Sequence, residues 1–160
     1  MATLTSWASS EAVRTSMQGN RSRDTKPELA VRSLVHRHGL RYRVNTRPIR
    51  EIRRTADMVF RKERVAVFVD GCFWHGCPEH FKPPSTNVEY WSQKLANNQR
   101  RDREVNAALA EVGWVVFRAW EHEDAEETAA RIVSTVVGRR DSSSGSRGEV
   151  KRAQRRKLVG

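Results

Sequence analysis

One stretch decides the fold: residues 65–80 read VAVFVDGCFWHGCPEH. Its first five residues are apolar without interruption and include three β-branched valines. A run of this kind and length predicts a strand that is buried at the centre of a sheet. Glycines, cysteines, histidines and aromatic residues follow it. The sequence therefore predicts a loop rich in metal-binding and proton-transferring side chains directly after a central strand.

Outward from this stretch, hydrophobic periodicity predicts three helices and four strands in the order α-β-β-β-α-β-α. Thr25 and Glu28 form a capping-box pattern at the start of the first helix, and Gly39 can end it. The expected helices are residues 25–39, 87–112 and 125–137, and the expected strands are residues 42–44, 56–60, 65–69 and 114–120. This order predicts an α/β fold in which helices flank a mixed β-sheet in two or three layers.

The chain is strongly basic. Its 160 residues carry 30 Lys and Arg against 19 Asp and Glu, a formal net charge of +11. This excess predicts a polyanionic partner, nucleic acid before an anionic membrane surface. No apolar run approaches the roughly 18 residues of a membrane span, and residues 1–17 lack the apolar core of a signal peptide. We therefore expect neither a membrane-spanning nor a secreted protein.

The composition changes near Gly138. Residues 139–160 hold eight basic and two acidic residues, and they carry +6 of the net charge. They include a Ser/Gly stretch and almost no large apolar side chains, so they cannot bury enough surface to offset their ordering entropy. We expect a folded domain at residues 1–138 and a basic, disordered tail at residues 139–160.

Cys72, Cys77 and His80 offer three zinc-type ligands within one loop. A closed structural zinc site needs four ligands. His122, just past the last predicted strand, is the best candidate for the fourth. A disulfide across so short a loop would restrain little of the unfolded chain. The alternative interpretation is a buried pair of thiols with histidines at the surface.

Three other features of the sequence suggest chemistry. His75 lies in the same loop, and histidine suits general acid–base catalysis near neutral pH, although a ligand or bystander role stays open. Asp57 stands among apolar residues, where it either helps to hold Mg²⁺ with phosphate oxygens or faces solvent near a turn. Phe73 and Trp74 are consecutive bulky rings in a glycine-bounded loop, and exposed rings can insert between DNA base steps.

These residues resemble the very short patch repair (Vsr) family of DNA mismatch endonucleases. The resemblance runs from about residue 15 to residue 122, and its most specific element is residues 69–80. Supporting matches are Arg23-Asp24-Thr25 with Glu28, residues 90–95, residues 98–102, and Gly113-Trp114 leading to Trp120-Glu121-His122. The resemblance implies a restriction-endonuclease-like α/β core. It also implies nicking of one strand 5′ of the T in T:G mismatches that arise by deamination of 5-methylcytosine.

The resemblance further implies roles for individual residues at a catalytic site. Asp57 and the backbone carbonyl of Val69 would hold catalytic Mg²⁺, with the number of ions open. His75 would be the general acid–base residue, Asp102 would lie beside it, and Glu28 would lie at the periphery of the site. A metal ion there would neutralise the scissile phosphate and lower the pKa of the attacking water.

Two further groups of residues follow from the same resemblance. The first group holds structural Zn²⁺: Cys72, Cys77, His80 and His122. The second group intercalates into DNA beside the mismatch: Phe73, Trp74 and Trp91. We also expect the first ~20 residues to form a DNA-contacting arm.

The chain departs from the family pattern at two positions. Some members carry a histidine where this chain has Asp70, so Asp70 would contribute little to the leaving group and could add a carboxylate to the metal site instead. Ala56 precedes Asp57 where the wider nuclease motif has a proline, and no lysine follows the central strand. His75 would therefore do the proton work that a lysine performs in relatives of this fold.

The expected partner is double-stranded DNA with a T:G mismatch, with no membrane partner and with repair proteins as further candidates. We expect a monomer in the bacterial cytoplasm, associated with the nucleoid. Two alternatives stay open from the sequence. One is a zinc-stabilised DNA-binding module without catalysis, and the other is a nuclease of the same fold with a different specificity.

Overall fold

A computed structural model describes the backbone of residues 23–157 and the side chains of residues 23–142. The expected N-terminal arm lies outside the described residues. The elements in chain order are α1 (Lys26–Arg37), β1 (Arg43–Thr46), β2 (Ala56–Phe60), β3 (Val65–Asp70), α2 (Cys72–His75), α3 (Val88–Glu111), β4 (Val115–Trp120) and α4 (Ala125–Lys157). Among these residues no helix is both long enough and apolar enough to cross a bilayer.

The described residues form one four-stranded sheet in the order β1-β2-β3-β4. The pairs β1–β2 and β2–β3 are antiparallel. The pair β3–β4 is parallel, and α3 connects its two strands. The predicted mixed sheet with a buried central strand is therefore confirmed: the side chains of residues 65–68 are fully or almost fully buried. Because β3 and β4 are parallel, their carboxyl ends, Asp70 and Trp120, meet at one edge of the sheet.

Helices cover both faces of the sheet, which makes three layers. On one face α1 and α4 pack on Met58, Phe60 and Val67 through apolar residues such as Val35 and Ile132. On the other face α3 packs through Leu109 on Val59, Ala66 and Phe68. This arrangement confirms the α/β fold. One side of α3 faces the edge of the sheet where β3 and β4 end.

The first helix begins with a variant of the predicted capping box. The Glu28 N–H donates to Thr25 Oγ1 at 3.5 Å, as expected. The Glu28 carboxylate, however, accepts from the N–H of Asp24, one residue before Thr25, at 2.8 Å. The cap therefore gives hydrogen-bond partners to the N–H groups of Asp24 and Glu28, and the Glu28 side chain is buried.

The structure differs from the sequence prediction at two places. The loop after β3 contains a one-turn helix, α2, that periodicity did not predict, because four residues carry no helical period. The last helix does not end near Gly138 but continues to Lys157. Arg139 donates to the Glu63 carbonyl at 3.0 Å, and Arg140 pairs with the Glu63 carboxylate at 2.6 Å. These contacts anchor the start of the predicted tail on the β2–β3 turn, which composition alone could not show.

Candidate active site and metal-ligand cluster

Four potential metal ligands converge at the edge where β3 and β4 end. The ligand atoms of Cys72, Cys77, His80 and His122 all lie within 4.8 Å of one another. Cys72 Sγ lies 3.1 Å from His122 Nδ1, and Cys77 Sγ lies 3.8 Å from His80 Nδ1. The cysteines are free thiols, and Cys77 is buried. The parallel pairing of β3 and β4 thus brings His122 to the loop, as the sequence predicts.

The thiols of this cluster suit a cation. Burial raises the pKa of Cys72 to about 12, and the hydrogen bond and charge of Cys77 add to the rise. Two thiolates side by side are thus unfavourable without a neutralising cation, and a borderline-soft dication such as Zn²⁺ supplies that charge and takes the S₂N₂ donor set. The Glu121 carboxylate fixes the start of α2 by accepting from the Cys72 N–H at 2.7 Å.

Asp57 faces β3 at the same edge. Its Oδ2 accepts from the Val69 N–H at 2.7 Å. The carbonyl of the next residue, Asp70, accepts from Glu121 N–H on the β4 side at 3.0 Å. Because the backbone groups of successive strand residues point to opposite sides, the Val69 carbonyl points to the side of Asp57. Carboxylate and carbonyl oxygens are the donors that Mg²⁺ prefers, and both kinds lie on this side of β3.

The Asp57 carboxylate is held in an unfavourable environment. Burial raises its pKa to about 6, the hydrogen bond from Val69 opposes the rise, and the negative charge of Glu28 adds to it, with a smaller contribution from Asp70. A buried carboxylate near two other carboxylates gains from a bound cation, because the cation offsets both the desolvation and the repulsion. The residues present therefore fit a magnesium site.

His75 and Asp102 form a second pair of functional side chains. His75 Nδ1 lies 2.5 Å from Asp102 Oδ2, and both side chains are largely buried. Burial alone would raise the pKa of Asp102, but the hydrogen bond to His75 and the charge of Arg118 outweigh it and hold the pKa below its ordinary value. An ionised Asp102 on Nδ1 leaves Nε2 as the His75 nitrogen for proton exchange with a substrate.

The structure also shows two arginines at this pair that were not predicted from the sequence. Arg118 Nη1 lies 2.8 Å from both carboxylate oxygens of Asp70. Arg118 Nη2 lies 3.3 Å and Arg54 Nη2 lies 3.7 Å from Asp102 Oδ1. The signal for Arg118 was present in the sequence: it is the one charged residue in the otherwise apolar run at residues 114–120.

Glu28 lies near Asp57 but is engaged by its own neighbours. It is 5% exposed, and its Oε2 lies 3.1 Å from Arg32 Nη2. Arg32 also pairs with Asp24 at 2.6 Å. The negative charge of Glu28 therefore lies near Asp57, and Arg32 holds the Glu28 carboxylate in place.

The aromatic residues of the loop and of α3 form one cluster. Phe73 packs edge-to-face on Trp74 and on Trp91, with ring centroids 5.2 and 5.3 Å apart. The Lys94 ammonium lies 5.5 to 5.8 Å from the centroids of Trp74, Tyr90 and Trp91. The structure thus places Phe73, Trp74 and Trp91 together beside His75, with a cation above them.

Side chains of α3 hold the backbone of this loop. Asn98 donates to the Trp74 carbonyl at 2.8 Å, and Gln99 donates to the His75 carbonyl at 3.3 Å. Gly76 follows with a φ of +69°, and a Cβ there would lie 2.9 Å from Gln99 Nε2 and 3.0 Å from Leu95 Cδ1. Glycine is therefore required at the turn that carries the chain from His75 to Cys77.

Comparison with known proteins is consistent with this site. Residues 8–80 match the family described as DNA mismatch endonuclease Vsr. The chain is 48% identical over 122 residues to the Type II nicking enzyme V.NaeI of Lentzea aerocolonigenes, covering 75% of this chain and 74% of the relative. It is 41% identical over 121 residues to the Type II nicking enzyme V.XorIIP of Xanthomonas oryzae pv. oryzae, covering 75% and 87%. It is 36% identical over 106 residues to the DNA mismatch endonuclease Vsr of Escherichia coli K12, covering 66% of each chain.

Proposed function

This chain belongs to the Vsr family and is a DNA endonuclease, and from that premise we propose that it nicks one strand of duplex DNA 5′ of the T in a T:G mismatch. Such mismatches arise by deamination of 5-methylcytosine. The observation that carries the proposal is the convergence of three groups at one edge of the sheet. A buried carboxylate at Asp57, a histidine–aspartate pair at His75 and an aromatic cluster all lie around the loop after β3.

Asp57 and the Val69 carbonyl would hold Mg²⁺. A bound Mg²⁺ neutralises the scissile phosphate and lowers the pKa of the attacking water. The desolvated Asp57 supports this role because its charge has few other partners. The Val69 N–H donates to Asp57 Oδ2 at 2.7 Å and so orients the carboxylate.

His75 would transfer the protons of the hydrolysis. Asp102 binds Nδ1, which fixes the ring and directs Nε2 to the substrate. Neutral His75 can take a proton from the attacking water, and protonated His75 can return one to the leaving oxygen. The buried, ionised Asp102 stabilises the protonated ring.

The zinc cluster would hold the loop that carries this histidine. Zn²⁺ bound by Cys72, Cys77, His80 and His122 would close a loop that starts three residues before His75 and ends five residues after it. This role is structural, because four protein ligands leave no open position for substrate.

A second candidate function is nicking at a fixed sequence in fully matched DNA. The observation that favours it is that two similar relatives, V.NaeI and V.XorIIP, are Type II nicking enzymes. The two candidates share the site and differ only in what the enzyme recognises around the cut.

A closed-circular plasmid separates the two candidates. We would build plasmids with one T:G pair between randomised flanking base pairs, and matched plasmids with C:G at the same place. Nicking converts either plasmid into open circles. We expect Mg²⁺-dependent conversion of the T:G plasmids alone. Equal conversion of both sets would contradict mismatch specificity and favour the second candidate.

Trp91 provides a test of the aromatic cluster. Trp91→Ala should weaken binding to T:G duplexes by about 10- to 100-fold, because stacking of one ring on a base contributes about 1–3 kcal/mol. Trp91→Phe keeps a ring and should lose much less. The measurement is titration of a duplex with 2-aminopurine beside the mismatch, whose fluorescence reports unstacking. Equal affinity of Trp91→Ala and wild type would contradict intercalation.

The C-terminal segment provides a test of how charge contributes to binding. Residues 143–160 carry six basic residues and one acidic residue, and their removal leaves Arg139 and Arg140 on Glu63. The truncated chain should bind DNA more weakly and with a flatter salt dependence, because fewer counterions are released. Affinity is measured against salt concentration, and at high salt the two chains should converge. Loss of T:G selectivity on truncation would contradict this assignment.

A further inference from the structure

The role of Asp70 can be derived from Arg118. Resting on the proposed function, we infer that Arg118 is a positioning residue that holds the Asp102 carboxylate on His75, with Asp70 as the counter-ion that anchors Arg118. This assignment gives Asp70 a place outside the magnesium site.

The guanidinium of Arg118 is fixed by three contacts. Its Cζ lies 4.5 Å from the ring centroid of Phe68, the residue opposite it in the β3–β4 pairing. Its Nε donates to Asn106 Oδ1 at 3.0 Å. Its Nη1 lies 2.8 Å from each oxygen of Asp70. A planar group held on its face and along two edges cannot rotate, so the direction of Nη2 is set as well.

That remaining nitrogen faces Asp102. Arg118 Nη2 lies 3.3 Å from Asp102 Oδ1, while Asp102 Oδ2 is bound to His75. Both atoms of the Arg118–Asp102 contact are buried, and neither has a partner in hydrogen-bond geometry among the described residues. The contact is therefore an ion pair. Arg118 holds Asp102 Oδ1 by charge, while His75 binds Asp102 Oδ2. Asn106 and Asp102 lie four residues apart on α3, so Arg118 contacts side chains on two successive turns of that helix.

The same geometry accounts for Asp70. Asp70 is 7% exposed, Arg118 Nη1 lies 2.8 Å from each of its carboxylate oxygens, and Asp70 Oδ1 also lies 3.8 Å from His75 Nδ1. Without Arg118 the Asp70 carboxylate would be an uncompensated buried charge near Asp57 and Asp102, which is strongly unfavourable. Removing both charges together avoids that penalty at Asp70, while Arg54, whose Nη2 lies 3.7 Å from Asp102 Oδ1, stays beside the Asp102 charge. The pair can therefore be deleted to test positioning separately from folding.

The variants are Arg118→Met, Asp70→Asn and the double variant Asp70→Asn/Arg118→Met. The matched control is Arg131→Met, which also breaks an arginine–carboxylate pair, to Glu123 at 2.7 Å, and an arginine–ring contact, to Phe117. Two quantities are measured for each protein. The first is kcat and KM for nicking of a T:G duplex. The second is the tautomer of His75 in long-range ¹H–¹⁵N spectra at alkaline pH, assigned with His75→Gln.

We expect the double variant to fold like wild type and to lose about 10- to 100-fold in kcat with little change in KM, as for other residues that orient a catalytic group. His75 should shift from the Nδ1–H tautomer toward Nε2–H, as in Asp102→Asn. Arg131→Met should match wild type in both measurements. Asp70→Asn alone should leave the Mg²⁺ concentration for half-maximal nicking unchanged.

A double variant with wild-type kcat, or with the wild-type His75 tautomer, would overturn the inference. A large rise in the Mg²⁺ requirement of Asp70→Asn would overturn it too, because Asp70 would then be a metal ligand. Failure of wild type to nick T:G DNA contradicts the proposed function instead. The tautomer comparison still decides the role of Arg118 in that case.

Discussion

Asp57→Asn should abolish Mg²⁺-dependent nicking and at the same time stabilise the protein in the absence of Mg²⁺. Loss of a magnesium ligand removes several kcal/mol of transition-state stabilisation, which corresponds to a fall in kcat of about 10³-fold or more. The amide keeps an oxygen for the Val69 N–H but carries no charge to bury. Activity and stability should therefore change in opposite directions.

The sign of the stability change follows from the pKa of Asp57, which burial raises from 3.8 to about 6. The folded state holds this proton more tightly than the unfolded state does. The contribution of Asp57 to the free energy of unfolding is therefore greatest below pH 4 and falls as the pH rises through about 6. Above that range the charged group costs at most about 3 kcal/mol, at 1.36 kcal/mol for each pKa unit. Asp57→Asn removes this cost.

The measurement is urea unfolding of wild type and Asp57→Asn at several pH values between 4 and 8 without added Mg²⁺. No chelator is used, so that the proposed zinc site is not disturbed. The stability gain of Asp57→Asn should grow with pH and level off above about pH 6. Asp124→Asn is the matched control, because Asp124 caps α4 through its Oδ1 at 2.9 Å and asparagine caps equally well. A destabilised Asp57→Asn protein, or one that retains full nicking, would contradict the assignment.

Cys77→Ser should remove bound zinc and much of the stability of the fold. Cys77 is 1% exposed, and its Sγ lies 3.8 Å from His80 Nδ1 and 3.6 Å from His122 Nδ1. A structural zinc site contributes directly to the free energy of folding, so losing a ligand should lower the Tm by about 10 °C or more. Wild type should carry one zinc ion per chain, and the variant should carry much less.

Zinc content by mass spectrometry and thermal unfolding test this prediction together. His80→Asn should behave like Cys77→Ser, whereas His38→Asn, an exposed residue at the end of α1, should behave like wild type. A wild-type protein that is folded and zinc-free, or a Cys77→Ser protein with normal zinc content and Tm, would show that the cluster is not a zinc site.

Much of this fold could be predicted from local patterns. The apolar run at residues 65–69 predicted the central strand, and the parallel end of β4 brings His122 to Cys72 and Cys77 as expected. Asp57 was a visible anomaly because it is a carboxylate in an apolar strand. The strand and Asp57 are each signalled within a few residues of sequence, and His122 could be placed because it directly follows a strand whose end was expected to meet the end of β3.

The parts that sequence reasoning missed depend on pairing between distant residues. Arg118 meets Asp70 only because β3 and β4 align in one register, 48 residues apart in sequence. Arg139 and Arg140 extend the folded part of α4 because Glu63 lies opposite them, 76 and 77 residues away. Composition treats such residues as solvent-exposed charges, and only the tertiary structure shows which residues they contact.

Mapping the cut on both strands tests the central claim most directly. A duplex with one T:G pair between randomised flanks is labelled on each strand and incubated with the protein in Mg²⁺, beside an identical C:G duplex. The account predicts a single nick on the 5′ side of the mismatched T, an intact G strand and an intact C:G duplex. Cutting in the G strand, or equal cutting of the C:G duplex, would contradict it.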